Sequence, residues 1–420
     1  MRKIVIAIDG TAGSGKTTLC LKLAYLLNYV PVLTGKLYRG IGAYIKRNNL
    51  KLEEIKKKIK DLKVDYKFEV VPKVFVNGID LTEELDDPVV ERITSEIAEY
   101  KEVREHLYHV QRKFVDEKGV VMEGRDIGTV IARDADLKFY MDADLMVRAQ
   151  RRYRDFLKRG EKIDFERVFL ELEKRDKRDK SRENAPLKIP EDAYFIDTTN
   201  KKIEDVLILC LKLAYEKIYK SREKFRWKFA YYFTYPFIKW LFGMKIEGRK
   251  NLFKKGPCII TPNHTTFWDP PFIGFAAKRE SYFLAKIDLF LPNPLFAWLI
   301  RTFNAIPIKR GIGAVSAYEK AEELLESGKM VVIFPEGTRS KTGTLLPFKK
   351  GAASLACNLR VPVIPAYIKN VRENPLKWIL RKKRLSVKFG VPLLPFGNTK
   401  EYIEEFNKKI EEEVKKLSLT

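Results

Sequence analysis

Residues 4–17 read IVIAIDGTAGSGKT, a short apolar run that leads directly into a glycine-rich loop. The run Ile4–Ile8 predicts a buried strand, and Thr17–Leu27 has the apolar periodicity of a helix. The loop Gly10–Thr17 between them matches the pattern GxxxxGK(S/T), in the strand–loop–helix context that this pattern requires. Further strand-like and helix-like segments alternate along the first half of the chain, which predicts a parallel α/β sheet.

The chemistry of this loop follows from its residue types. Glycines let backbone N–H groups turn inward around phosphate oxygens, and the helix that follows adds positive potential at its N-terminus. Lys16 can bridge the β- and γ-phosphates of a nucleotide, and the Thr17 hydroxyl can ligate Mg²⁺. We therefore expect ATP with Mg²⁺ as the ligand. The residues expected to bind it are Gly10, Thr11, Ala12, Gly13, Ser14, Gly15, Lys16, Thr17 and Thr18.

Length and charge divide the chain. At 420 residues it is long enough for two or three domains. Residues 221–420 hold 36 Lys and Arg against 17 Asp and Glu, whereas residues 1–220 hold 45 against 39. The excess of positive charge therefore lies in the second half and indicates anionic partners there. We disfavour nucleic acid as this partner, because no recognition motif accompanies the charge. The four cysteines form no CxxC pair, which fits a reducing cytosol.

A change in composition predicts where the domains end. The segment 219–228 is basic and lacks apolar periodicity, so we expect a linker there, between a first domain at 1–218 and a second at 229–420. A second α/β pattern follows, with strands expected at 258–261, 331–334, 363–368 and 385–389, and with an amphipathic C-terminal helix. No apolar run is long enough to span a membrane, and the N-terminus begins as a strand rather than as a signal peptide.

Four further motifs follow the glycine-rich loop in a fixed order: Thr34–Arg39, Val74–Gly78, Glu123–Val130 and Arg175–Arg182. Over about residues 1–218 this series resembles the bacterial cytidylate kinases. The resemblance implies a three-layer P-loop kinase fold that phosphorylates CMP or dCMP with ATP. The residues implied to bind CMP are Thr34, Arg39, Ser95, Arg104, Arg125, Asp126, Arg175, Asp179 and Arg182.

The resemblance also implies which part of the nucleotide each of these residues contacts. Ser95, Arg104, Asp179 and Arg182 surround the cytosine, Asp126 with Arg175 holds the ribose, and Arg39 serves the phosphate end. One position departs from the family, which usually has an acidic residue where this chain has Leu33. A carboxylate there would help to organise metal or phosphate. The alternative therefore stays open that the first domain is a weakly active, nucleotide-sensing module that regulates the second.

The second half contains one histidine with a suggestive neighbour. His264 follows the expected strand at 258–261, and Asp269 lies five residues further on, where a turn can bring its carboxylate back to the imidazole. Such a pair makes the imidazole a general base for an alcohol. No nucleophilic Ser or Cys signature accompanies it, so we expect the substrate alcohol itself to attack. The two other histidines, His106 and His109, are expected on a solvated surface.

Three later segments give this pair its context: Asn304–Gly311, Phe334–Ser340 and Val361–Ala366. With Asn263–Asp269 they resemble the four blocks of the 1-acylglycerol-3-phosphate acyltransferases, over about residues 229–420. The resemblance implies an α/β domain that acylates the sn-2 hydroxyl of 1-acylglycerol-3-phosphate and gives phosphatidic acid, with an acyl-CoA or acyl-carrier-protein as donor. It implies His264 and Asp269 as catalytic residues and Val361–Ala366 as the wall of an acyl tunnel. The residues implied to bind the acceptor phosphate are Lys309, Arg310, Glu336, Gly337 and Arg339.

Aromatic and basic residues predict contact with a membrane surface. Phe225–Phe242 is dense in Trp, Tyr and Phe with interspersed cations, and Leu289–Leu299 is a second apolar segment. Such segments favour the headgroup level of a bilayer, and the basic run at 381–384 would attract anionic lipid. The alternative is that the aromatic helix packs inside its own domain. We expect a cytoplasmic protein, peripherally associated with the inner face of the cell membrane.

Overall fold

The computed structural model describes residues 2–219, 225–291, 293–308, 313–373, 375–380 and 382–419. The chain divides into two compact units, Arg2–Lys217 and Ile218–Thr420. Within the described residues, no helix combines the length and the apolar character that crossing a bilayer demands.

The first unit alternates strands and helices. Its strands are β1 (Val5–Gly10), β2 (Val30–Leu33), β3 (Val64–Phe68), β4 (Pro72–Val76), β5 (Ile79–Asp80), β6 (Val120–Glu123), β7 (Leu137–Asp142) and β8 (Tyr194–Asp197). Its helices are α1 (Lys16–Leu27), α2 (Thr34–Arg47), α3 (Leu52–Lys58), α4 (Pro88–Ile97), α5 (Lys101–Glu117), α6 (Leu145–Lys158), α7 (Phe165–Ser181) and α8 (Ile203–Ile218).

A five-stranded parallel sheet in the order β2-β6-β1-β7-β8 forms the centre of this unit. Every residue of the central strand β1 is buried, as its continuous apolar run predicts. In the registers of β1 with β6 and of β2 with β6, Ile8 and Leu33 both lie opposite Glu123. The glycine-rich loop, Thr34 and the segment after β6 therefore meet at one edge of the sheet, where ligands bind in such folds.

A small antiparallel sheet, β3-β4-β5, accompanies the main sheet. The turn between β4 and β5 is Asn77-Gly78, and both residues have positive φ, 52° and 78°. A two-residue turn with positive φ at both positions is the hairpin turn that Asn-Gly favours. The prediction of a parallel α/β sheet is confirmed, although β2 was not predicted. This strand has only four residues and contains Pro31, which weakens a strand pattern.

The strands described in the second unit are β9 (Lys245–Glu247), β10 (Cys258–Pro262), β11 (Ser281–Lys286), β12 (Ala305–Ile308), β13 (Met330–Val332), β14 (Val363–Lys369) and β15 (Ser386–Phe389). Its helices are α9 (Phe225–Phe242), α10 (Asp269–Ala277), α11 (Pro294–Thr302), α12 (Gly313–Glu326), α13 (Gly351–Leu359), α14 (Pro375–Ile379) and α15 (Lys400–Leu419).

These strands form one sheet in the order β12-β11-β13-β10-β14-β15-β9. It is parallel from β12 to β14, and β15 then runs antiparallel to β14. The expected strands β10, β14 and β15 are present. The expectation for 331–334 is wrong at its end, because β13 stops at Val332 and Phe334 begins a turn in which Gly337 N–H donates to its carbonyl. The C-terminal helix is amphipathic as predicted, with Phe406, Ile410 and Val414 buried.

The predicted linker differs from the structure at its end. Helix α9 already begins at Phe225, inside the segment 219–228, and residues 220–224 lie outside the described part of the chain. The helix contains Pro236. Trp227 and Tyr231 are buried, whereas Phe233 and Trp240 are 78% and 70% exposed. Part of the aromatic helix therefore packs within its own unit, and part of it faces outward.

Candidate active sites

The glycine-rich loop lies between β1 and α1, where the pattern places it. Gly10 has φ +142°, and a Cβ added there would lie 1.9 Å from the carbonyl oxygen of Met141. Only glycine permits this approach of the loop to β7. The Thr11 hydroxyl donates to Asp142 and the Ser14 hydroxyl donates to the Thr11 carbonyl, at 2.6 and 2.9 Å. The loop is thus held in shape by its own side chains.

Lys16 is the cation of this loop. Its side chain is buried, and Nζ donates to the carbonyl of Thr11 at 2.6 Å. Burial, and next the positive charge of Arg125, lower the pKa of Lys16 to about 7. A bound phosphate would favour the charged form of this amine, so nucleotide binding and protonation of Lys16 are linked.

Thr17 contacts a carboxylate that sequence reasoning missed. Its hydroxyl donates to Oε1 of Glu123, at 3.3 Å, from the end of β6. A threonine hydroxyl beside a carboxylate suits the coordination shell of a Mg²⁺ ion that arrives with ATP. The signal that could have found Glu123 is its place at the carboxyl end of a predicted strand, next to the strand of the glycine-rich loop.

A cavity of about 610 Å³ opens beside the loop. On one side it is lined by Gly13, Lys16 and Thr17, among other loop residues. It brings together all nine residues that the resemblance implies for CMP. These are Thr34, Arg39, Ser95, Arg104, Arg125, Asp126, Arg175, Asp179 and Arg182.

Ion pairs preassemble the far side of this cavity. Arg104 pairs with Asp126, and Arg182 lies 3.8 Å from the same carboxylate. Arg125 donates through Nε to Asp179 at 2.8 Å and through Nη1 to the carbonyl of Gly10 at 2.7 Å. Burial alone would raise the pKa of Asp179, yet the facing arginines lower it. Asp179 is therefore an ionised acceptor, and the guanidinium groups that face it are fixed donors.

Side chains of this cavity also form contacts within the protein that the sequence did not predict. Asp126 pairs with Arg104, whereas Nη1 of Arg175 donates to Glu91 at 3.2 Å. The two residues expected together at the ribose therefore have different partners. Glu91 was not predicted. Leu33 is buried at the end of β2 and lines the cavity, so no carboxylate occupies that position.

Asp9 links the loop to the segment after β6. Its carboxylate is buried and accepts the backbone N–H groups of Ile127 and Gly128, both at 2.7 Å. Burial raises its pKa to about 6 despite these two bonds. The pair of bonds holds the start of a π-helical turn at Ile127–Ile131, and so fixes the adjacent Arg125 and Asp126.

The second unit contains the expected His–Asp contact. Nδ1 of His264 lies 2.8 Å from Oδ2 of Asp269, at the first residue of α10. Asp269 is fully buried, and it also accepts the N–H groups of Thr265 and Thr266 at 2.6 and 2.8 Å. The imidazole stacks on the ring of Phe334, with 4.1 Å between ring centroids. This geometry favours the proton on Nδ1 and makes Nε2 the acceptor.

Glu336 has a different place from the one implied for it. It is buried, and its carboxylate oxygens accept the backbone N–H groups of His264 at 2.7 Å and of Leu346 at 3.0 Å. Burial raises its pKa. A carboxylate with both oxygens engaged and no exposure does not suit contact with a phosphate. It instead joins the His264 turn to the loop before α13.

The cations expected at the acceptor phosphate are only partly described. Lys309 and Arg310 lie outside the described residues, and Arg339 is exposed. Sequence reasoning gave no role to Lys349. Gly337 has φ +68°, and a Cβ added there would lie 2.8 Å from Nζ of Lys349, so this side chain lies across the glycine. The Lys349 N–H donates to the Pro335 carbonyl at 2.8 Å, which fixes its backbone beside the turn.

The remaining predictions concern single segments. Val361 and Val363 are buried as part of the sheet region, and a role of Val361–Ala366 in an acyl tunnel stays a prediction. His109 is exposed as expected. The expectation for His106 is wrong, because its ring is half-buried and burial lowers its pKa.

The folds and sites together define two transferases, a P-loop kinase and an acyltransferase. The family model described as "Cytidylate kinase" matches residues 6–216, and the one described as "Acyltransferase" matches residues 243–369. The chain belongs to the cytidylate kinase family in its N-terminal half and carries an acyltransferase domain in its C-terminal half, which makes it a bifunctional fusion.

Known proteins are similar to parts of this chain. A cytidylate kinase of Thermotoga neapolitana is 43% identical over 217 residues, which is 51% of this chain and 97% of the relative. One of Caldicellulosiruptor saccharolyticus is 40% identical over 52% of this chain and 98% of the relative. Among solved structures, the 1-acyl-sn-glycerophosphate acyltransferase PlsC of Thermotoga maritima is 24% identical, with a TM-score of 0.37 over 51% of this chain and 89% of its own.

Proposed function

We propose that the kinase domain, residues 1–218, transfers the γ-phosphoryl group of ATP to CMP or dCMP, giving CDP or dCDP, and that the acyltransferase domain, residues 229–420, acylates the sn-2 hydroxyl of 1-acylglycerol-3-phosphate. The observation that carries the first activity is the single cavity that joins Lys16 and Thr17 to the nine residues implied for CMP. It would let donor and acceptor phosphates meet in one place.

In the kinase reaction, a CMP phosphate oxygen attacks the γ-phosphorus and ADP leaves. The protein's part is to position the two nucleotides and to neutralise charge. Lys16 would serve the donor phosphates, and Arg39 the phosphate of the acceptor. Mg²⁺ bound with ATP would supply Lewis-acid stabilisation, and the residues that would hold it are Thr17 and Glu123.

The alternative is a nucleotide-sensing, weakly active kinase domain that regulates the acyltransferase. Leu33 favours it, because an apolar side chain occupies a position where the family usually has an acid. Glu123 beside Thr17 disfavours it, because it supplies a carboxylate at the metal position. A coupled assay of ADP release separates the two proposals: turnover that depends on CMP removes the sensor, and ATP and CMP binding without turnover supports it.

The acyl-transfer proposal rests on the His264–Asp269 geometry. Nε2 of His264 would take the proton of the attacking hydroxyl as its oxygen bonds to the thioester carbonyl carbon. The carbon–sulfur bond then breaks, and the proton passes to the leaving thiolate. Asp269 would stabilise the imidazolium in between. No covalent acyl-enzyme is required.

A phosphate on the acceptor is supported by cations in and near the matched segments. Nζ of Lys349 lies across Gly337, and Arg339 follows two residues after this glycine. Lys309 and Arg310 follow β12 in the sequence. Guanidinium and ammonium groups suit a phosphate monoester. Mass spectrometry of lipids after incubation with lysophosphatidate and either acyl-CoA or acyl-carrier-protein tests the acceptor and the donor together. Phosphatidate as product supports the proposal, and acylation of neutral monoacylglycerol alone contradicts it.

We also infer that the acyltransferase domain works at the inner face of a membrane. Helix α9 contacts α11 and α14, and each of these helices carries exposed apolar side chains. These include Phe229, Phe233 and Trp240 on α9, Leu295 and Trp298 on α11, and Ile379 on α14. Apolar side chains gathered in this way favour insertion at headgroup level.

Vesicle sedimentation tests this inference. The double substitution Phe233→Ser and Trp298→Ser should lower binding to vesicles of phosphatidylglycerol and phosphatidylcholine about tenfold or more, because two exposed apolar side chains no longer enter the bilayer. Leu209→Ser, which changes an exposed leucine of the kinase unit, is the matched control and should bind as the unaltered protein does. Equal binding of all three proteins would contradict the inference.

A further inference from the structure

One carboxylate in the kinase unit holds three arginines from three different helices. Glu91 lies on α4, Arg39 on α2, Arg152 on α6 and Arg175 on α7. Oε1 of Glu91 lies 3.3 Å from Nη2 of Arg39, 2.8 Å from Nη2 of Arg152 and 3.2 Å from Nη1 of Arg175. Nη2 of Arg152 also donates to Oε2, at 2.9 Å. Glu91 is therefore the point at which the three side chains converge.

This cluster differs from the surface ion pairs that occur elsewhere on the unit. Its four side chains are all partly buried, and the pairs join residues that are far apart in the sequence. Three guanidinium groups this close repel one another, and the anion between them offsets this repulsion. Arg39 has a second carboxylate partner, Asp86, at 2.6 Å. Among the described residues, Glu91 is the carboxylate that all three arginines share. Burial alone would raise the pKa of Glu91, yet Arg152 and Arg39 lower it, so the anion is present at neutral pH.

The three arginines also belong to the nucleotide site. Arg39, Arg152 and Arg175 all line the cavity that contains Lys16. Within the described part of the chain, the bonds of Arg152 to Glu91 use Nη2, and those of Arg175 use Nη1. A guanidinium group has five N–H donors in a fixed fork, so each of these two arginines keeps further donors for phosphate oxygens while Glu91 holds it.

We propose that Glu91 is a positioning residue of the kinase reaction, which gathers Arg39, Arg152 and Arg175 around the place where the phosphoryl group is transferred. Donor and acceptor phosphates then meet cations that are already in place, and no reorganisation is needed as charge develops in the transition state. Glu91 touches no reacting atom in this role. It acts through the arginines, and it joins the helices of the acceptor side, α2 and α4, to the arginine-bearing helices α6 and α7.

The substitution Glu91→Gln removes the charge and keeps the shape. We expect kcat for CMP phosphorylation to fall about tenfold or more, because the arginines spread apart. The affinity for CMP, measured by calorimetry, should stay within about threefold of the unaltered protein or become tighter, because a negative charge near the phosphate is lost. A residue that only stabilised the fold would not separate kcat from binding in this way.

Glu84→Gln is the matched control. Among the described residues Glu84 forms an ion pair with Arg47, Oε1 to Nη1 at 3.0 Å, on the partly exposed surface of the same unit, so kcat should not change. Arg152→Lys tests whether Glu91 acts through this arginine. In the Arg152→Lys protein, Glu91→Gln should lower kcat less than about threefold, because the arginine through which Glu91 acts is already altered. Glu91→Asp keeps the charge and should retain more kinase activity than Glu91→Gln. If Glu91→Gln does not fold, Glu91→Asp is the variant to compare with the unaltered protein.

Affinity for a transition-state mimic makes the result independent of turnover. Binding of ADP, CMP and aluminium fluoride should weaken about tenfold or more in Glu91→Gln, while binding of CMP alone does not weaken. If the unaltered protein showed no turnover of CMP, that result would count against the proposed kinase reaction. It would not count against the role of Glu91, which the binding measurement tests separately. A kcat within twofold of the unaltered protein, or an increase that marks Glu91 as a competitor of the phosphates, would overturn the proposal.

Discussion

Nδ1 of His264 lies 2.8 Å from Oδ2 of Asp269. The Asp269 carboxylate is completely buried, and it also accepts two backbone N–H groups and the Thr266 hydroxyl. A carboxylate held by four bonds cannot turn away from the imidazole. The pair is therefore fixed before any substrate arrives, which is the condition for a general base in acyl transfer.

Asp269→Asn should lower kcat for acyl transfer by about 10²- to 10⁴-fold, because the amide no longer stabilises the imidazolium that forms on His264. The measurement is acyl transfer from acyl-CoA to lysophosphatidate. Glu373→Gln changes a partly exposed carboxylate of the same unit that pairs with Lys377, and it should have no effect. A fall of less than threefold for Asp269→Asn would argue against the pair as the catalytic centre.

Glu123→Gln should raise the Mg²⁺ concentration that gives half-maximal kinase activity, and should lower kcat about tenfold or more. The reason is that the carboxylate beside the Thr17 hydroxyl is lost from the metal's surroundings. The measurement is CMP-dependent ADP release over a titration of Mg²⁺. An unchanged Mg²⁺ titration would remove Glu123 from the metal site.

Binding of ATP should be accompanied by uptake of a proton near pH 8. Lys16 has its pKa lowered to about 7, so at pH 8 it is mostly neutral in the free protein, and the phosphates favour its charged form. Below about pH 6 it is already protonated, and the uptake should vanish. Calorimetry in buffers of different ionisation enthalpy measures the number of protons taken up per ATP bound.

The control for that experiment is Lys16→Met, in which the titrating amine is absent. It should bind ATP more weakly and without the pH-dependent uptake. If the variant took up the same number of protons at pH 8 as the unaltered protein does, the titrating group would be another residue.

Lys349→Ala should raise the KM for lysophosphatidate about tenfold, because the ammonium that lies across Gly337 is no longer available to the acceptor phosphate. Lys350→Ala is the matched control, since its neighbouring ammonium pairs with the exposed Glu404. Lys349→Arg should recover part of the affinity. Equal KM values for Lys349→Ala and Lys350→Ala would contradict a specific contact between Lys349 and the acceptor phosphate. The two lysines would then act only through the positive charge of the loop.

The sequence was sufficient where function depends on residues close together in the chain. The loop with Lys16 and Thr17 is one continuous motif, and the spacing of five residues places Asp269 against His264. The sequence was insufficient where the contact depends on how distant elements pack. Glu91 meets Arg152 across 61 residues, and Glu123 meets Thr17 across 106. No local pattern distinguishes Glu91 from the acids of a solvated helix, and the one signal for Glu123 is its place at the end of a strand.

The same distinction explains the errors in the fold and the site. The resemblance implied a place for Glu336 at the phosphate, whereas its burial and its bond to the His264 N–H follow from tertiary packing. The segment 219–228 was expected to be a linker because it lacks apolar periodicity. Helix α9 nevertheless begins at Phe225, and its Trp227 and Tyr231 are buried within the unit.

The central claim is that two separate catalytic centres work in one polypeptide, and crossed assays of two substitutions test it most directly. His264→Ala should abolish acyl transfer to lysophosphatidate and leave CMP phosphorylation unchanged. Lys16→Ala should abolish CMP phosphorylation and leave acyl transfer unchanged. Loss of both activities from either substitution, in a protein that stays folded by circular dichroism, would contradict the account.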